Sequence, residues 1–191
     1  MDRLITVAAE LQEFCSKRRW KFCFIGGIAV QEWSEPRMTD DVDLTLLTGF
    51  GGEEAFIDEL LRHYPSRRAD AREFALINRV LVLQNDSGIG IDIALGALPF
   101  EELAITRAKQ IKYAPGVTLT ICSPEDLIVM KAFASRDRDW RDVQMTIIRQ
   151  GAGALDWPYI FNQLEPLAAL KEHPEILDRL RELKKKTNPA P

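Results

Sequence analysis

At 191 residues the chain is long enough for one well-cored domain, or for a core domain carrying a small helical addition. A net charge of −4 gives no global basic field of the kind that drives non-specific nucleic-acid binding, and no apolar run approaches the roughly 20 residues that cross a bilayer. Cys15, Cys23 and Cys122 are far apart in apolar surroundings, which with an acidic second residue and no signal-peptide pattern predicts buried thiols in a cytoplasmic protein; the isolated His63 and His173 argue against a Ser-His-Asp site or His-Asp phosphohydrolase chemistry.

Leu4, Val7, Ala8, Leu11, Phe14 and Cys15 recur at helical spacing, which predicts an amphipathic helix from Met1 to about Lys17 packed on a sheet. Ser16-Lys17-Arg18-Arg19 closes it, its basic side chains suiting a helix C-terminus through the dipole; a phosphate contact is the minor reading. Phe22 to Ile25 is a short apolar strand that stops at Gly26-Gly27. Without side chains there, backbone N–H groups can turn sharply and approach a ligand closely. Ile28 to Trp33 reads as a short helix whose N-terminus points at the same spot, and phosphate suits that combination. A glycine pair alone is more often only a tight turn.

Asp41-Val42-Asp43-Leu44 opens the next strand. Side chains two apart leave a strand by one face, so both carboxylates point one way while Val42 and Leu44 face a core. Two such close like charges are best reconciled by a divalent cation between them, and hard oxygen donors favour Mg²⁺ or Mn²⁺. The ordinary reading of an Asp-x-Asp alone is a loop or a solvated strand face.

Glu53 to His63 predicts a helix with acids in its first turn, and Tyr64-Pro65-Ser66-Arg67-Arg68 breaks it. Arg79–Gln84 and Ile89–Leu95 read as a hairpin closed by Asn85-Asp86-Ser87-Gly88. Asp92 interrupts the apolar run of its strand, where a carboxylate is costly unless paired, metal-bound or turned to water at an edge. Leu98 to Glu102 turns into a short helical piece, and Ala108–Tyr113 with Val117–Ile121 forms a second hairpin.

Ser123-Pro124-Glu125-Asp126 is a strong helix start, with Ser at the N-cap and Pro at the first helical position. Lys131 lies one turn beyond Leu127 on that helix, and Asp137 to Asp142 opens another with Val143, Ile147 and Ile148 inward. Gly151-Ala152-Gly153 reads as a boundary. Two helices follow, Asp156–Leu170 and Pro174–Leu183, closing with Lys184-Lys185-Lys186 and a Pro-rich tail; the lysine run caps a helix C-terminus or, more weakly, meets an acceptor RNA.

On these residues the chain resembles the nucleotidyltransferase superfamily with the DNA polymerase β-type minimal fold: a hydrophobic residue and two glycines (Ile25-Gly26-Gly27), a short helix, then Asp-hydrophobic-Asp. Arg37-Met38-Thr39-Asp40-Asp41 is similar to the R-x-T/S-x-D form of the abortive-infection type toxin nucleotidyltransferases and their small relatives. Pro124 to Val143 resembles the segment after their sheet, where E-D-L-hydrophobic-x-x-K precedes R-x-x-D-x-x-D.

The resemblance implies an α+β fold: a small mixed sheet with helices packed on it, a nucleotidyltransferase core over residues 1–150, and a C-terminal helical cap and tail over 151–191. It implies Asp41, Asp43 and Asp92 as the catalytic and metal-binding trio, with Asp92 supplied by a neighbouring strand. Gly26, Gly27 and Thr39 would hold the phosphates of an NTP, Arg37 and Lys131 would add positive charge, and Asp139 and Asp142 would support the site. For Lys131 a solvated helix face is an equal reading. The expected activity is Mg²⁺-dependent transfer of an NMP to a hydroxyl acceptor on RNA or tRNA, a protein or a small molecule, with a cognate antitoxin as a further partner. The alternative is a catalytically silent nucleotide-binding or antitoxin-partner domain on the same fold.

Overall fold

The computed structural model describes residues 2–187; Met1 and the Pro-rich tail at 188–191 lie outside them. The described residues divide into two units, the first running to Ile28 and from Met38 to Cys122, the second comprising Ala29–Arg37 and the helices that follow Ser123. The boundary expected at Gly151 falls inside the second unit.

The first unit is built on a six-stranded mixed sheet: β1 (Phe22–Phe24), β2 (Asp41–Leu47), β3 (Val80–Gln84), β4 (Gly90–Gly96), β5 (Lys109–Ala114) and β6 (Val117–Ile121), in the spatial order β3-β4-β2-β1-β6-β5. The two expected hairpins, β3–β4 and β5–β6, are antiparallel pairs, whereas β2 and β4 run parallel. Period-two alternation puts Val42, Leu44, Leu81, Leu83, Ile91 and Ile93 on one face, all fully buried, and half-exposes Asp41, Asp43, Val82 and Asp92 on the other. Helix α1 (Asp2–Lys17) buries the six apolar residues whose spacing predicts it, and Leu4, Val7, Leu11 and Phe14 among them each stabilise the fold by about 1.5–3 kcal/mol. Arg18, just past its end, lays its guanidinium 3.5 Å from the centre of the Phe14 ring and pairs with Glu59. Helices α3 (Glu53–His63), α4 (Ala71–Asn78) and α5 (Pro99–Arg107) complete the unit; α4 has no counterpart among the elements expected from sequence.

Helix α2 (Gly26–Trp33) starts at the glycine pair itself rather than at Ile28, and it carries the chain from the first unit into the second. The second unit also contains α6 (Pro124–Ala134), α7 (Asp137–Gln150), α8 (Trp157–Leu170) and α9 (Glu175–Thr187). Ser123 caps α6, its Oγ accepting the Asp126 N–H at 3.2 Å. On α7, Val143 and Ile147 are buried as expected, but Ile148 is exposed. Gly151 ends α7 with a φ of 81°, and the turn after it is tied down by Trp157, whose indole N–H donates to the Ala152 carbonyl at 2.8 Å. A hinge-like composition thus forms a packed corner.

Candidate active site

Strands β2 and β4 determine where the acids stand. Asp43 and Asp92 are register partners in the parallel ladder, and Asp41 lies two residues before Asp43, so all three side chains leave by the same half-exposed face. Strand β4 has β3 on one side and β2 on the other, which places Asp92 on an internal strand and not at an edge.

Three glycines make room for the polar side chains. Gly26 has a φ of 53°, and a Cβ there would overlap the Asp43 carboxylate. A Cβ on Gly27 would overlap the Thr39 side chain, and one on Gly90 would overlap Asp41 Oδ1. The Gly27 N–H, in the first turn of α2, donates to Asp43 Oδ2 at 3.1 Å, so this helix N-terminus orients a carboxylate of the protein itself. Thr39 Oγ1 donates to the Asp41 carbonyl at 3.3 Å. Of the groups expected to hold a polyphosphate, the Gly27 amide is thus engaged by the Asp43 carboxylate and the Thr39 hydroxyl by the Asp41 backbone.

Arg67 is the residue the sequence did not disclose. Its guanidinium hydrogen-bonds Asp92 and lies 3.6 Å from Asp41. The Arg67 N–H donates to the Val82 carbonyl, and Ser66 bridges to Leu83, so this segment flanks β3 while its side chain reaches the acid on β4. Burial pushes the Asp92 carboxyl above the usual carboxylate range, the Arg67 charge pulls it partly back, and the negative Asp41 adds to the rise.

Arg37, Lys131, Asp139 and Asp142 belong to the second unit. Lys131 is buried, not solvated, with its Nζ 3.1 Å from Asp139 Oδ1 and 2.9 Å from Asp142 Oδ2. Arg37 forms a fork on Asp142, Nε to Oδ1 at 3.1 Å and Nη2 to Oδ2 at 3.0 Å, and Arg136 binds Asp139 through Nε at 2.5 Å. Burial raises both carboxyls, but these cations more than offset it and hold Asp139 and Asp142 below the usual range.

The donor chemistry of Asp41, Asp43 and Asp92 fits a hard divalent ion: three oxygen-only ligands on one face, with the Arg67 guanidinium against two of them. As they stand, no three acidic, histidine or cysteine side chains among the described residues are grouped to hold a metal. Asp43 faces the Gly27 amide, and Arg67 lies against the other two.

Strand-borne acids on a mixed sheet, with a glycine-opened helix start beside them, define the nucleotidyltransferases as a class. Residues 11–156 match the family described as nucleotidyl transferase AbiEii toxin, type IV TA system, and the chain belongs to it. It is therefore a nucleotidyltransferase of a toxin–antitoxin family. No curated protein matches the chain. Among solved structures, an antigenic nucleotidyltransferase-like protein from Paracoccidioides brasiliensis is 18% identical, with a TM-score of 0.54 over 94% of this chain and 93% of that one. The antibiotic-resistance factor ANT(2'')-Ia is 14% identical, with a TM-score of 0.55; its solution structure covers 93% of this chain and 96% of its own, and its complex with adenylyl-2''-tobramycin covers 87% and 98%. At these identities the likeness is one of fold.

Proposed function

We infer that the chain moves an NMP from an NTP to a hydroxyl acceptor, releasing pyrophosphate, with Mg²⁺ or Mn²⁺ held by Asp41, Asp43 and Asp92. The observation that carries this reading is the in-register pairing of Asp43 with Asp92 on adjacent parallel strands, two residues from Asp41 and beside the glycine-opened start of α2. A divalent ion bound there would offset the charge that builds on the transferring and leaving phosphates. The acceptor oxygen bonds to the α-phosphorus, the bond from that phosphorus to the bridging oxygen breaks, and pyrophosphate leaves. Asp92, facing Asp43 across the parallel ladder, is the carboxylate that would take the acceptor's hydroxyl proton.

Gly26, Gly27 and Thr39 act in this reading by keeping Asp43 in place and by lending donors to phosphate once Asp43 turns to the ion. A contribution of Arg37 and Lys131 to nucleotide binding belongs to the same proposal, and it rests on the motifs around them and not on a contact. The acceptor class is RNA or tRNA, a protein or a small molecule; the family description supports a cognate antitoxin as partner. Among the described residues no helix is long and apolar enough to cross a membrane.

The test is incubation with α-labelled NTPs, Mg²⁺ and a cell extract. Label should enter one class of macromolecule or small molecule with wild type and not with Asp43→Ala. Equal labelling by the two proteins, or none by either with every NTP, would overturn the proposal.

A further inference from the structure

The cation at the open-face carboxylates is a residue of the protein itself. Arg67 sits on Asp92 and within 3.6 Å of Asp41. Its backbone is pinned to β3: the Arg67 N–H donates to the Val82 carbonyl at 3.2 Å, the Gln84 N–H to the Pro65 carbonyl at 2.9 Å, and Ser66 Oγ to the Val82 carbonyl at 3.2 Å. The side chain remains about a third exposed, so it can swing without unpairing the strand. Gly90 opens the space in which the groups meet, since a Cβ there would overlap Asp41 Oδ1 and come within 3.1 Å of Arg67 Nη1.

We propose that Arg67 is an internal counter-ion that occupies Asp41 and Asp92 in the resting protein and must leave them before a divalent cation is held there, so that it sets the affinity of the site for metal. This rests on the reading of Asp41, Asp43 and Asp92 as metal ligands. A guanidinium and a dication compete for the same carboxylate oxygens, and their mutual repulsion at a few ångströms forbids shared occupancy. Without Arg67, Asp41 and Asp92 would repel each other uncompensated, which favours the ion further. Metal binding is thus an exchange of one cation for another, and its cost is the ion pair given up.

The experiment is calorimetric titration of Mn²⁺ alone into the full chain, without nucleotide. Arg67→Ala should bind Mn²⁺ about tenfold more tightly than wild type, and Arg67→Lys, which keeps the charge but loses the planar fork, should fall between. Arg68→Ala removes the same charge one residue on, from a side chain paired with Asp70, and should leave the affinity unchanged. In wild type, the Nε–H resonance of Arg67 should shift along the Mg²⁺ binding curve. This last measurement decides the matter if Arg67→Ala fails to fold. An Arg67→Ala affinity equal to wild type, an equal gain in Arg68→Ala, or an Arg67 resonance that stays put while metal binds would overturn the proposal. If Asp43→Asn abolishes Mn²⁺ binding in that same series, the metal trio survives the loss of the counter-ion role. If neither wild type nor Arg67→Ala shows Mn²⁺ binding that Asp43→Asn removes, the trio itself fails, and Arg67's role with it.

Discussion

Asp43 carries two tasks at once, as a strand acid facing Asp92 and as the acceptor for the Gly27 amide in the first turn of α2. Asp43→Asn keeps the size and the hydrogen bond but removes the charge, so it is expected to lower transfer by about a hundredfold or more, with an unchanged circular dichroism spectrum; retained activity would remove Asp43 from the chemistry. Gly26→Ala tests the space beside it. The new methyl would meet the Asp43 carboxylate at a backbone φ of 53°, a conformation costing an L-residue about 1–2 kcal/mol, so a lower urea midpoint and loss of transfer are expected together. The diglycine and both acids of β2 were legible because glycine and period-two alternation act locally. The use of the glycines was only partly legible: the sequence suggested room for a ligand, and in the structure that room holds Asp43 and Thr39. Arg67 was not legible at all. It lies in a helix-breaking run, and it reaches Asp92 because Ser66 and Leu83 pair across the fold, which no local pattern encodes.

The elements with strong end signals are those the sequence located best. Ser123-Pro124 starts α6 where expected, and Ser123 Oγ both accepts the Asp126 N–H and donates to its carboxylate at 2.6 Å. Ser123→Ala removes both interactions in a buried setting, so a stability loss of about 1–2 kcal/mol is expected in urea unfolding; a loss below a few tenths would show the cap to be redundant. Helix α4 escaped notice for a physical reason. Its buried positions are Ala71 and Ala75, while Leu76 is partly and Ile77 largely exposed, so the bulky apolar residues that mark a helix face point away from the packed side. Helix α2 began two residues early for a related reason: glycine is a poor helix former, but at a first turn its cost is small and its lack of a Cβ admits Asp43 and Thr39.

Across the whole molecule, the individual strands and helices followed from alternation and turn chemistry, the α+β class and mixed sheet from the resemblance to the nucleotidyltransferases, and the non-contiguous units from neither. Gly151-Ala152-Gly153 has a linker's composition, yet it lies within a packed helical unit that begins at Ser123 and also takes in Ala29–Arg37. A non-contiguous unit is set by long-range packing and ion pairs, which sequence spacing does not carry. Lys131 is at the centre of those pairs. Lys131→Met should destabilise the protein toward the lower end of the about 3–5 kcal/mol typical of a broken buried pair, because Asp139 keeps Arg136 and Asp142 keeps Arg37.

The same cluster gives the second unit a defined response to acid. Asp139 and Asp142 are buried, which alone would raise their carboxyls, but Arg136, Arg37 and Lys131 hold both below the usual range in the folded chain. The unfolded chain takes up their protons near the ordinary aspartate value of about 3.9, so below that pH it binds more protons than the folded chain does. The stability these acids contribute is therefore complete above about pH 4 and is lost as pH falls through their depressed native values. Urea midpoints should accordingly be flat on this account from neutrality down to that region and then fall. Asp139→Asn should be less stable at neutral pH, where Lys131 and Arg136 lose a charged partner, and should lose less on further acidification than wild type does. An acid-induced loss just as steep in Asp139→Asn would assign the acid sensitivity to carboxylates elsewhere in the chain.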